Sequence, residues 1–137
     1  MTMTRDQLES LCIDGFFKMM NARNLDGAMA NMADDCEMRI PSSNFTYTGK
    51  DALRIHLADF LVNFKAVNFH DFVPAVDPVA RRAGIYFTVS MTDNDGEETH
   101  MGNCNFFEVN EEGKIFDILI FAAKPLSKGF EVGNSPT

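Results

Sequence analysis

The fold is decided by residues 85–110, IYFTVSMTDNDGEETHMGNCNFFEVN. Ile85, Phe87, Val89 and Met91 alternate with Tyr86, Thr88, Ser90 and Thr92, the period of two that a β-strand imposes. Asp93-Asn94-Asp95-Gly96 then reads as a tight turn, because Asn, Asp and Gly tolerate positive φ. Glu98 to Asn110 resumes the alternation. Two long antiparallel strands follow, Ala80–Thr92 and Glu98–Asn110.

The same pattern extends on both sides. Downstream, Glu111-Glu112-Gly113-Lys114 makes a second turn and Ile115–Ala123 a further strand, ended by Pro125. Upstream, Val67–Val76 is a strand closed by Asp77-Pro78. Before it the period becomes helical. A first helix is expected from Thr4 to Ala22, with Thr4 as N-cap and a stripe of Leu8, Leu11, Cys12, Phe16, Met19 and Met20. A second opens at Asn24 or Asp26, carries Ala28, Met29 and Met32, and ends near Asp34-Asp35. Cys36–Ile40 is a short strand stopped by Pro41, with another short one near Phe45–Tyr47. A third helix runs over Lys50–Asn63, its apolar face formed by Leu53, His56, Leu57, Phe60 and Leu61. Helices first and a meander after give an α+β class: a curved antiparallel sheet packed on three N-terminal helices. This is expected to be one domain over residues 1–126, with a loose tail over 127–137.

Composition narrows the function classes. The formal net charge of −8 argues against a nucleic-acid binder, which needs Lys and Arg to neutralise phosphates. No basic amphipathic stretch suits an anionic membrane surface, and no apolar run is long enough to span a bilayer. The first residues lack a signal-peptide apolar region, so the expected location is the cytoplasm. Cys12, Cys36 and Cys104 are odd in number and widely spaced, and are read as reduced. The three histidines lack metal-ligand spacing, and neither a dinucleotide nor a P-loop glycine pattern occurs. No metal or cofactor is expected. Thirteen Phe and nine Met with no Trp suit a core that leaves room for a guest.

The long strands carry large apolar groups on both faces. One face covers the helices. The other, with Tyr86, Phe106, Leu119 and Phe121, is expected to pack against a second copy in a homodimer.

Several short runs in this order resemble the ketosteroid isomerase family: Leu25-Asp26-Gly27, Met32-Ala33-Asp34-Asp35, Pro41, Gly49 before a helix, Phe107-Glu108-Val109-Asn110 and Gly113-Lys114-Ile115. The wider group is the nuclear transport factor 2-like superfamily, which includes SnoaL-like proteins. The resemblance covers residues 8 to 123. It implies a cone-shaped fold with a pocket between sheet and helices, and a dimer. It also implies three catalytic positions. The base falls on Ile40, which cannot take a proton; the donor tyrosine falls on Phe16, which has no hydroxyl; the donor aspartic acid falls on Asn105. Steroid isomerisation by that mechanism is therefore not expected.

Strand parity and the helical stripe predict the pocket wall. Phe16, Met20 and Phe60 come from helices, and Met38 and Ile40 from the first short strand. Phe87, Val89 and Met91 share one strand face; Met101, Asn103, Asn105 and Phe107 share another; Ile118 and Ile120 complete the set. His56 and Asn105 are the candidate catalytic pair, a neutral imidazole for proton transfer and an amide N–H for an oxyanion. Asp71 is a further group that could reach the pocket; His100 sits near a hairpin end, and the Asp34-Asp35 pair is read as solvated. Two functions stay open. One is a pocket that binds a small hydrophobic molecule without chemistry. The other is a cofactor-independent isomerase, cyclase or dehydratase acting on a small carbonyl compound through His56.

Overall fold

The computed structural model describes residues 2–124. The tail expected over 127–137 lies outside the described residues. The chain begins with a helical rod in three segments: α1 (Arg5–Cys12), a π-helical turn (Ile13–Phe17) and α2 (Lys18–Asn21). Thr4 opens it with a reciprocal cap. Its hydroxyl accepts from the Gln7 N–H at 3.1 Å, and the Gln7 side chain accepts from the Thr4 N–H at 2.9 Å. The wide π turn changes the stripe. Gly15, Phe16 and Phe17 are all buried in succession, which a regular 3.6-residue period does not produce.

A short helix α3 (Leu25–Met29) follows, capped by Asn24, whose side chain accepts from the Gly27 N–H. It is shorter than the sequence suggests. The expected helical turn over Met32–Asp35 is instead the start of β1 (Met32–Ile40). Tertiary pairing overrides local propensity here: Met32 sits opposite Ile115, and the Asn31 carbonyl accepts the Ile115 N–H at 2.9 Å. The register shifts between Met32 and Glu37, and Asp34 and Asp35 point to solvent in succession at that irregularity. β2 (Phe45–Thr48) hairpins back onto β1, and α4 (Lys50–Asn63) crosses the concave side. The remaining strands are β3 (Phe64–Asp77), β4 (Arg82–Asp93), β5 (Glu98–Val109) and β6 (Ile115–Ala122).

The six strands form one curved, unclosed sheet in the order β2-β1-β6-β5-β4-β3. The α+β class with helices packed on a curved sheet is as expected. Four of the five pairings are antiparallel; β1 and β6 run parallel, which makes the sheet mixed. The core lies between the concave face and the helices. Phe17 is at its centre, with its ring centroid 4.6 to 5.6 Å from those of Phe16, Phe69, Phe72, Phe87 and Phe107. Tilted and edge-on contacts of this kind suit the quadrupoles of stacked rings. The Phe-rich composition is used here. Cys12 and Cys36 are buried and free, their thiols pushed up to about 12 mainly by burial.

The convex face is unusual for an uncovered surface. Tyr86, Phe106 and Phe121 are 54%, 47% and 44% exposed. Tyr86 lies flat across the backbone of Gly102, where a Cβ would come within 2.3 Å of its hydroxyl.

Candidate functional site: a methionine- and phenylalanine-walled cavity

The rod, α4 and the concave sheet face do not close completely. They leave a cavity of about 60 Å³. The rod contributes Phe16 and Met20, β1 Met38, and α4 His56, Leu57 and Phe60. Phe69 comes from β3; Phe87, Val89 and Met91 from β4; Met101, Asn103 and Asn105 from β5; Ile120 from β6. Every strand contribution follows from the in–out alternation of a pleat. Asn103 and Asn105 face inward because Phe87 and Ile85 stand opposite them on β4.

Three residues expected on this wall are elsewhere. Ile40, Phe107 and Ile118 have the right parity but are sealed in the core. Ile118 is flanked by Met38 and Phe107 in the sheet, and the Phe107 ring is covered edge-on by Phe16 and Phe17. Ile40 ends β1, opposite Phe45. Parity gives the face of a strand, not the depth along it. Leu57 and Phe69 line the cavity without having been singled out as candidates. Leu57 was already on the apolar stripe of α4. Phe69 shares the parity of Val67 and stands opposite Val89, so alternation alone could have found it; the β3–β4 register shift between His70 and Val73, with Asp71 at φ 56°, brings Phe72 to Phe17 as well.

That same irregularity turns Asp71 away from the cavity, where the sequence allowed it to reach. Asp71 is exposed, and its carboxylate lies 2.9 Å from Nδ1 of His70. His70 Nε2 and His100 Nδ1 each lie 2.9 Å from the Ser90 hydroxyl. The distances match a Ser–His–Asp arrangement. The setting is a convex strand face whose backbone N–H groups belong to the ladder and so do not form an oxyanion hole. The cluster ties β3, β4 and β5 together across the outside.

Within the cavity three polar side chains differ in state. His56 is 4% exposed and its ring stacks on Tyr47, with centroids 3.9 Å apart and planes at 15°. Burial lowers its pKa from 6.5 to about 4, so the imidazole is neutral at physiological pH. The Asn103 carbonyl oxygen accepts the Ala123 N–H at 3.1 Å, which anchors the end of β6. Asn105 is 3% exposed, and its Oδ1 is enclosed with no hydrogen-bond partner among the described residues. Among the described residues no Asp, Glu, Lys or Arg lines the cavity. Nor does any group of three His, Cys, Asp or Glu side chains there suit a metal ion. No described helix is long and apolar enough to cross a membrane.

This architecture has known relatives. Residues 13–118 match the SnoaL-like domain family. The chain belongs to that family. The SnoaL-like domain therefore sits in the nuclear transport factor 2-like superfamily, as its sequence suggested. Among solved structures it is similar to a candidate polyketide cyclase of Xanthomonas campestris pv. campestris (TM-score 0.76, 18% identity, 85% of this chain and 90% of that one). It is also similar to BvnE pinacolase of Penicillium brevicompactum (TM-score 0.74, 21% identity, 87% of each chain). A third is AusH of Aspergillus nidulans (TM-score 0.75, 16% identity, 98% of this chain and 99% of that one). At these identities the likeness concerns the fold.

Proposed function

We propose that this SnoaL-like domain binds a small, uncharged, mostly apolar molecule between the sheet and the helices, without steroid-isomerase chemistry. The observation that carries this is the cavity wall. It contains aromatic, aliphatic and thioether groups, two amides and one neutral imidazole, with no charged side chain among the described residues. A charged guest would lose its hydration and gain no counter-charge. The space is small: ligand pockets commonly run to about 300 Å³ or more, and a cavity of ~150 Å³ holds benzene. Met20, Met38, Met91 and Met101 give the wall its compliance, because an unbranched thioether changes rotamer at little cost. Titration of methyl-labelled protein with methylcyclopentane should shift those four methionine methyl signals saturably. Absence of any saturable shift would overturn the reading.

A second reading rests on His56 being part of the wall. In it, the neutral imidazole takes a proton from a small carbonyl compound in an isomerisation, cyclisation or dehydration, and the Asn105 amide N–H faces the resulting oxyanion. The names of the similar structures, a polyketide cyclase candidate and a pinacolase, favour it. A pKa of about 4 makes His56 a feeble base, which favours the first reading. Loss of turnover of an identified substrate in His56→Ala would restore the second.

We further propose that the convex face pairs with a second copy. Its exposed aromatic side chains are bordered by the Arg39–Asp117 and Arg82–Glu108 ion pairs. A two-fold interface needs a patch complementary to itself, and both signs of charge on one patch meet that need.

A further inference from the structure

One polar group on the cavity wall is fixed in orientation and still has donors to give. Asn103 stands between Phe87 on β4 and Ala122 on β6 and lines the cavity. Its Oδ1 accepts the Ala123 N–H at 3.1 Å. An amide NH2 cannot accept from an N–H, so this bond decides which amide atom is the oxygen and which the nitrogen. The other limb is therefore Nδ2, with two N–H donors. Nδ2 donates to no described residue. Nor is it sealed: the fully enclosed, unpartnered side-chain atoms among the described residues are Arg39 Nε, Tyr47 Oη and Asn105 Oδ1. Asn103 as a whole is 7% exposed, and the space on its side of the sheet is the cavity. Its donors thus open on the cavity, while the unpaired oxygen of Asn105 is closed to any guest.

From this we infer that the natural ligand presents an uncharged acceptor oxygen to Asn103 Nδ2, while its carbon skeleton lies against the methionine and phenylalanine walls. The inference rests on the proposed binding function and names its ligand class: a compact neutral molecule with a carbonyl, ether or hydroxyl oxygen, rather than a hydrocarbon or a carboxylate. A buried amide N–H without an acceptor has given up its water and received nothing. A hydrocarbon guest leaves Nδ2 in that position, or shares the space with a water that keeps the bond. A neutral oxygen takes the bond over. A carboxylate would take it too, but it brings a charge that no described wall residue balances. The neutral state of His56 agrees with a guest that is itself neutral.

Cyclopentanone and methylenecyclopentane test it, since they share a shape and differ at one position, C=O against C=CH2. Each is titrated into labelled protein while the cavity methionine methyl signals and the Asn103 side-chain NH2 signals are followed. In the ketone complex one Asn103 NH2 proton should resonate downfield of its position in the alkene complex. In Asn103→Leu the ratio of ketone to alkene affinity should fall about tenfold, the ratio expected for one hydrogen bond in an enclosed site. Loss of the Ala123 anchor in that variant affects both guests and cancels in the ratio. Saturable methyl shifts with no downfield difference at Asn103, or an affinity ratio unchanged in Asn103→Leu, overturn the inference and leave the binding function standing. If neither guest shifts the methionine signals, the binding function itself fails and the inference falls with it. The wild-type NH2 signals decide the matter even if Asn103→Leu does not fold.

Discussion

At pH 7 a histidine with a pKa of about 4 is protonated in roughly one molecule in a thousand. Burial sets this, and it couples His56 to stability. The unfolded chain takes up the proton near pH 6.5 and the folded chain only near pH 4, so the unfolded state gains protons first as pH falls. His56 thus costs nothing above pH 6.5, and its penalty grows between pH 6.5 and 4. The full effect is on the order of 3 kcal/mol. In His56→Phe, stability measured by urea unfolding should fall less steeply over that window than in the wild type. Parallel pH dependences would show that His56 is not the group responsible. Most of this was legible in the sequence, where His56 stands on the apolar stripe of α4. Its stacking on Tyr47 was not, because Tyr47 comes from a strand whose packing no local pattern specifies.

At the scale of elements, the π turn is the feature that periodicity missed. It buries three consecutive residues and lets Phe16 face the cavity while Phe17 fills the core. It also depends on Gly15. The Asn31 side chain donates to the Gly15 carbonyl at 3.0 Å and to the Gly27 carbonyl at 3.3 Å. A Cβ on Gly15 would stand 2.8 Å from that same Asn31 nitrogen. Helix propensity alone predicts that Gly15→Ala stabilises by about 1 kcal/mol. The hydrogen bonds predict the opposite sign, a net loss of about 1 kcal/mol, because Asn31 must move away and give up its bonds to the Gly15 and Gly27 carbonyls. Denaturant unfolding of the variant separates the two. Long, regular elements were easy to read: α4 spans Lys50–Asn63 as expected, and the β4–β5 hairpin lies where the Asp-Asn-Asp-Gly turn placed it. Bulges and the π turn were not, since each arises from a neighbour in space.

For the whole molecule, the sheet's two apolar faces were visible from the sequence, and they lead to separate consequences. The concave face makes the cavity. The convex face, if it joins two copies, should give twice the monomer mass in light scattering at micromolar concentration. Phe106→Glu should then shift the mass to that of a monomer without unfolding the chain, because the side chain is already half exposed. A wild-type mass equal to one chain would remove the interface. What the sequence could not give was the order of strands, because pairing partners far apart in the chain leave no periodic trace.

The parallel contact of β1 with β6 has a consequence of its own for how the protein comes into being. Residues 32–39 find their parallel partner at residues 115–119, near the other end of the described chain. A chain growing from its first residue therefore has the rod, the β1–β2 hairpin and α4 long before the strand that holds that hairpin to the rest of the sheet. The meander of β3, β4 and β5 can zip locally, but β1 has to wait. Closing so large a loop is slow. Met38, on the cavity wall, is carried by β1, so the chamber is complete only when that long-range contact is made.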